Sequence, residues 1–399
     1  MDPVLTGLLE ALRTATLAPA SARPVVDLAL AQGVAPLLHE RLRAAARLDA
    51  LPSSCAQALA RERRACALDN LRKYGAFRDV ARTLDKAGIA MLPLKGLHLA
   101  ERIYRDIGLR PMSDLDVLVP RDAVAAAVAA LRAAGFASVD EHALERLLEH
   151  KCNVGLQGPG GAPWLELHWS LEEPRPGLDD PTPALWDAAR PARLGDADTR
   201  VMPTRFLLLH VCGHLAINHA FAFSLRALCD IDAIVRAEPG FDWPAFADLA
   251  RCRGWARGVC AALQLAASHL DTPVPPEVLR DLGADALEPG LLEDALEQMG
   301  AATRIPPSLL TAPNLLAVAG AGTHGRWRLL WSRIFVPREE LAREYGLALR
   351  SPRLPLYYAA RVAGLLRRHA RTLAALHGDP TVAAAARRHV RLQRWISAP

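Results

Sequence analysis

The chain has 399 residues, 51% of them hydrophobic but only 5% aromatic, and carries a formal net charge of +5. That length suits two or three domains, and a composition rich in Ala and Leu suits helices rather than a β-sandwich. No run approaches the roughly 20 apolar residues of a membrane-spanning helix, the start lacks the basic region of a signal peptide, and the seven scattered cysteines form no CxxC pair, so a cytoplasmic protein with reduced thiols is expected.

Residues 1–88 read as an N-terminal helical subdomain. Leu5–Leu17, Val25–Ala31, Pro36–Ala46 and a long Cys55–Ala87 segment repeat apolar residues at the helical period. Pro3, Pro19, Pro24 and Pro52 punctuate them. Nothing in this region has catalytic spacing.

Residues 89–200 read as an α/β core. Leu92–Leu94 is a short apolar strand, and Lys95-Gly96 is expected to turn tightly. Leu97–Arg105 carries apolar residues at helical spacing, and a loop with one proline leads to Asp114-Leu-Asp-Val-Leu-Val119. Side chains alternate along a strand, so Asp114 and Asp116 share one face while Leu115, Val117 and Val119 enter the core. Two carboxylates side by side on an apolar strand repel each other unless a cation lies between them. After Pro120, with Asp122 as an expected cap or first-turn acid, an alanine-rich helix runs to Gly135. Phe136–Val139, Asn153–Gln157 and Trp164–Trp169 are strand candidates, the last two joined by a Gly-Pro-Gly-Gly turn. In the final strand Glu166 and His168 share one face. Leu171–Pro203 is expected to be a long surface loop.

Residues 201–315 return to helix, over Thr204–Ala220, Ser224–Ala237, Trp243–Arg253 and Trp255–Leu270, with a looser, proline-broken stretch from 271. Asp242 is placed to cap the helix opened by Trp243-Pro244. His210 and His214 stand one helical turn apart, which suits a metal in principle, but no further Cys or His has finger-like spacing and there is no HExxH. Residues 316–399 form a basic helical region, with Leu356–Leu376 and Thr381–Trp395 as its clearest helices. From Arg350 onward ten arginines face a single acid, Asp379. This end is either a solvated arginine-rich face or a contact for a polyanion such as RNA.

The order Leu94-Lys95-Gly96, then Arg110, then Ser113-Asp-Leu-Asp-Val-Leu-Val119, then Leu165-Glu-Leu-His-Trp169 resembles the polymerase β-like nucleotidyltransferases. It is closest to their bacterial branch of uncharacterised members. The resemblance covers Ala90–Ala250 and implies an α+β fold: a small mixed sheet of four or five strands between N- and C-terminal helical regions. It implies transfer of an NMP group from an NTP to an acceptor hydroxyl or phosphate, with release of pyrophosphate. Asp114, Asp116 and Glu166 would hold two Mg²⁺ ions. Lys95, Gly96 and Ser113 would hold phosphates, with help from Arg110. The sequence departs from much of the superfamily in following the glycine with Leu97 rather than Ser or Gly. Asp114 also comes eighteen residues after Gly96. Relatives of toxin type suggest RNA or tRNA as acceptor, and others a peptide or small molecule. Two further readings stay open: a non-catalytic nucleotide sensor on the same fold, and an RNA-binding scaffold carried by the basic end.

Overall fold

The computed structural model describes residues 2–138, 144–174, 180–301 and 380–397, with 338, 341, 351, 353 and 355–364. The chain divides into two units, one of Met1–Asn218 and Ser224–Leu292, the other of His219–Phe223 and Glu293–Ala398.

The first unit is α+β. It opens with α1 (Pro3–Thr14), α2 (Ala22–Ala31), α3 (Ala35–Ala44) and the 34-residue α4 (Ser53–Lys86). Asp2 caps α1 by accepting a hydrogen bond from the Val4 amide at 2.9 Å. After β1 (Leu92–Pro93), α5 (Lys95–His98) runs directly into a π-helical turn at Leu99–Ile103. Lys95 and Gly96 are thus the first residues of a helix and not the expected turn. Gly96 is there for space, since a Cβ would come within 2.7 Å of the Met112 sulfur.

β2 (Leu115–Leu118) is followed by a 3₁₀ turn at Arg121–Ala123 and by α6 (Val124–Ala133). Asp122 lies inside that turn, and no side chain caps it. Next come β3 (Ala137–Ser138), α7 (Leu144–His150), β4 (Asn153–Gln157) and β5 (Trp164–His168). Val139, expected in β3, lies outside the described residues. The five strands form one mixed sheet in the order β1-β2-β5-β4-β3. β2 and β5 are parallel, and every other pairing is antiparallel.

One face of this sheet is the core. Leu115, Val117, Leu165 and Leu167 pack with Phe77, Val80 and Leu84 of α4 and with Val124, Val128 and Leu131 of α6. All of these side chains are nearly inaccessible, so their burial is the main force holding helix to sheet.

The stretch expected as a structureless loop holds α8 (Thr182–Ala188) and a hairpin of β6 (Arg190–Leu194) with β7 (Ala197–Val201). Gly195 and Asp196 are its two-residue connection, with Gly195 at φ +52°. α9 (Thr204–Gly213) continues as a second π turn at His214–Asn218. α10 (Arg226–Ala237), α11 (Trp243–Cys252), α12 (Ala256–Leu270) and α13 (Pro276–Asp281) complete this unit's helices. Asp242 caps α11 as expected, accepting from the Ala245 amide at 3.1 Å.

α14 (Leu291–Ala301) leads into the second unit, which also contains α15 (Pro380–Ile396). Arg388 pairs there with Glu297 at 3.2 Å and Arg391 with Asp294 at 2.5 Å. Most of the expected basic end, including the stretch after 364 of the Leu356–Leu376 helix, lies outside the described residues. No described helix is long and apolar enough to cross a membrane. All seven cysteines are free thiols.

Candidate active site

The face of the sheet opposite the core carries charge. β2 and β5 pair in register, with Asp116 beside Glu166 and Leu118 beside His168. The same alternation that sends the four aliphatic side chains inward sends Asp116, Glu166 and His168 outward together. His168 Nε2 stands 3.2 Å from Asp116 Oδ1 and 3.3 Å from Glu166 Oε2. Lys95, at the start of α5, places its Nζ 3.5 Å from Asp116 Oδ2. On the neighbouring β4, Asn153 Nδ2 donates to Glu166 Oε2 at 2.8 Å.

The electrostatics follow from this crowding. Burial opposes charge on Asp116, but Lys95 and the His168 hydrogen bond outweigh it and hold the carboxyl well below the usual carboxylate range. Burial likewise opposes charge on His168. Its hydrogen bonds, above all to Asp116, overcome that and raise the imidazole well above the ordinary histidine value. Asp114 is pushed up by burial and then by the charge of Asp116, against the pull of Ser113 and Lys95. His210 of α9, a helix that packs on α5, is driven down to about 3 by burial and then by Lys95. Its Nε2 has no hydrogen-bond partner among the described residues.

The expected site residues are therefore only partly gathered. Lys95, Asp116 and Glu166 converge. Asp114 precedes β2 in a bend and stands outside the three-residue cluster of Asp116, Glu166 and His168. It feels the charges of both acids. Ser113 donates its hydroxyl to Asp114 Oδ1 at 2.9 Å rather than standing free. Gly96 lies beneath Met112 and Arg110.

Arg110 is where the sequence reading needs correction. Its Nε and Nη2 donate to Asp230 of α10 at 2.9 to 3.3 Å, and Tyr104 adds a hydroxyl donor to the same carboxylate at 3.0 Å. Arg110 and Asp230 are both buried, and a buried guanidinium needs such a partner more than it needs a solvent-facing role. Arg226 closes this corner by donating to the Pro111 carbonyl at 3.0 Å.

His168, placed by the sequence on the face of Glu166 but given no role there, stands between Asp116 and Glu166. The signal was its two-residue spacing from Glu166. Trp164, two residues before Glu166, lays its indole over Gly155 of β4, where a Cβ would come within 2.2 Å of the ring. It shares the site face and was also missed.

The two carboxylates, rather than the protonated His168 between them, fit a hard divalent cation. One ligand atom from each of Asp116, Glu166 and His168 lies within 4.8 Å of the others. Two of those atoms are carboxylate oxygens, and Glu166 is 32% exposed, open to a ligand from outside. Lys95 adds a fixed positive charge beside them, suited to a phosphate. With a cation bound at the acids, the arrangement can hold a polyphosphate on the face of the sheet opposite the core.

Comparison with protein families places residues 19–271 in a family described as uncharacterised nucleotidyltransferases. Comparison with curated proteins found no match.

Proposed function

The chain belongs to the uncharacterised nucleotidyltransferase family, and from that premise we propose that it moves an NMP group from an NTP to an acceptor hydroxyl or phosphate and releases pyrophosphate. The observation that carries this is the in-register pairing of Asp116 and Glu166 on adjacent parallel strands, with Lys95 alongside. Bound at these carboxylates and at Asp114, Mg²⁺ would neutralise the phosphates and activate the attacking oxygen. The chain's own groups have separable roles in this reading. Asp116 stays ionised at neutral pH because Lys95 and His168 offset its burial. His168 fixes the mutual orientation of Asp116 and Glu166 by reaching both. Glu166, more exposed than Asp116, faces the acceptor and orients its hydroxyl. Lys95 lies where it can pair with a non-bridging phosphate oxygen. The sheet's apolar underside keeps water from one side of the cluster, so each charge acts in a lower dielectric than it would on the surface.

The test uses NTPs labelled at either the α or the γ phosphate, with Mg²⁺ and an extract of RNA and metabolites. Label should move to an acceptor from the α position and not from the γ position. Transfer of the γ label alone would make the chemistry that of a kinase.

A further inference from the structure

α4 buries one side along its whole length, from Cys55 to Leu84. Its inner side supplies Phe77, Val80 and Leu84 to the core. Asn70 Nδ2 also ties it to the loop before β2, donating to the Ile107 and Arg110 carbonyls at 2.5 and 2.9 Å. Cations that serve the fold are paired: Arg63 holds Asp106 at 2.6 Å, and Lys73 is buried against Asp69.

The outer side differs. Arg61, Arg64, Arg72, Arg82 and Lys86 are exposed and fall within an arc of about 80° at the pitch of an α-helix, an arc shared by one acid, Asp79, which lies 4.0 Å from Arg82. The row spans about 38 Å at 1.5 Å per residue. Arg61, Arg64, Arg72 and Lys86 have no ion-pair partner among the described residues. α4 as a whole carries eight Lys or Arg against four acids. Leu68 and Leu71 sit inside the row at 62% and 56% exposure, two of the three large apolar side chains exposed among the described residues. Beside Leu71 opens a cavity of about 270 Å³, edged by Tyr74, Gly75 and Ile107.

Four unpaired cations flanking two neighbouring exposed leucines set this face apart from one whose charges pair at one-turn spacing. We propose that this face of α4 binds a single-stranded polynucleotide, its phosphates on the arginine row and its sugars and bases against Leu68 and Leu71. A polynucleotide brings a negative charge every few ångströms along the whole row, whereas a protein partner would need acids in matching register. A membrane surface would call for a continuous apolar stripe, and here the apolar part is one turn long with cations on both sides. Unstacked bases offer flat apolar surface to the leucines, which a duplex does not. The proposal does not rest on the transfer reading, because the strand is held whether or not it is the acceptor.

The experiment measures binding of a fluorescent oligouridylate RNA, and of its deoxy counterpart, to the full chain by anisotropy between about 50 and 200 mM salt. Saturable binding of either is expected. The combined change Arg61→Gln, Arg64→Gln and Arg72→Gln should weaken it by roughly tenfold or more and flatten the slope of log K against log salt by about 2. Leu68→Gln with Leu71→Gln should weaken binding with the slope unchanged. Should the triple variant melt early, Arg72→Gln alone decides, with an expected slope change of about 0.7. Asp116→Asn should bind as the wild type does, which separates this proposal from the transfer reading. Unaltered affinity and slope in the arginine variants would place any polynucleotide binding elsewhere in the chain and overturn the proposal. So would arginine-dependent binding to phosphatidylserine vesicles without binding to either oligonucleotide.

Discussion

Arg110 and Asp230 hold each other through several hydrogen bonds, the shortest 2.9 Å, with Tyr104 completing the carboxylate's shell. Asp116, a short distance along the chain, has Lys95 at 3.5 Å and shares His168 with Glu166. Both clusters are buried and both join acids to bases. In the first, Arg110 meets Asp230 in good geometry, and the nearby Arg226 donates to the Pro111 carbonyl. In the second, the contacts are longer, a second acid is partly exposed, and a third, Asp114, is raised by burial and then by Asp116. A closed pair of this kind stabilises a fold or keeps it specific. A cluster with surplus acid and slack contacts leaves groups open to a ligand, the arrangement that chemistry requires.

That contrast can be broken at either end. Asp116→Asn should reduce transfer of the α label by on the order of 10³ or more. The melting temperature should fall as well, because Lys95 and His168 lose the carboxylate they hold, and relief of repulsion on Asp114 offsets only part of that. If the variant kept wild-type transfer, the open cluster would not be the site. Asp230→Ala should act chiefly on stability. It strands a buried guanidinium, and the expected loss is about 3–5 kcal/mol in urea unfolding. Arg110→Met together with Asp230→Leu should recover much of that, since Arg110 is no longer stranded and Arg226 loses Arg110's repulsion along with Asp230's attraction. A double variant as unstable as the single one would mean that the pair contributes more than neutrality.

A smaller effect is expected at the rim of the open cluster. Gly155→Ala puts a methyl group 2.2 Å from the Trp164 ring. The indole must swing away, at a cost of about 1–3 kcal/mol, with a shift in tryptophan emission. Nucleotide affinity should change as well if the ring borders the ligand. Unchanged affinity would confine Trp164 to packing.

Much of the open cluster was legible in the sequence, because alternation is a local property. Leu115-Asp116-Val117 and Leu165-Glu166-Leu167 each show one acid between two core residues, and two such strands in one sheet have few ways to pair. The closed cluster was not legible. Arg110 and Asp230 are 120 residues apart, and nothing near either announces the other. Arg110 therefore read as a helper in holding the phosphates. The β6–β7 hairpin was hidden for a different reason. Arg190–Leu194 and Ala197–Val201 lie mostly at the surface, so they lack the apolar alternation that marks a strand, and only the Gly195-Asp196 pair hinted at a turn. Gly96 misled because a glycine suggests a turn, while here it is a helical residue fitted beneath Met112.

The two histidines give the smallest and most discriminating test, because their shifts have opposite sign. His168 is raised in the fold, so its contribution is complete below the unfolded value of about 6.5. That contribution is lost as pH rises through the higher folded value. His210 is lowered to about 3, so the unfolded chain takes up a proton that the folded chain refuses. Its contribution is present above about 6.5 and declines as pH falls towards 3. Asp116, held low, adds to the acid side below about 3.9. Urea midpoints measured across pH should therefore fall on both flanks of neutrality. His168→Gln should flatten the alkaline flank alone, and His210→Gln the acid flank between about 6.5 and 4. If His168→Gln left the alkaline flank intact, the histidine would not be carrying the positive charge between Asp116 and Glu166. The open cluster would then rely on Lys95 and a bound cation for its neutrality.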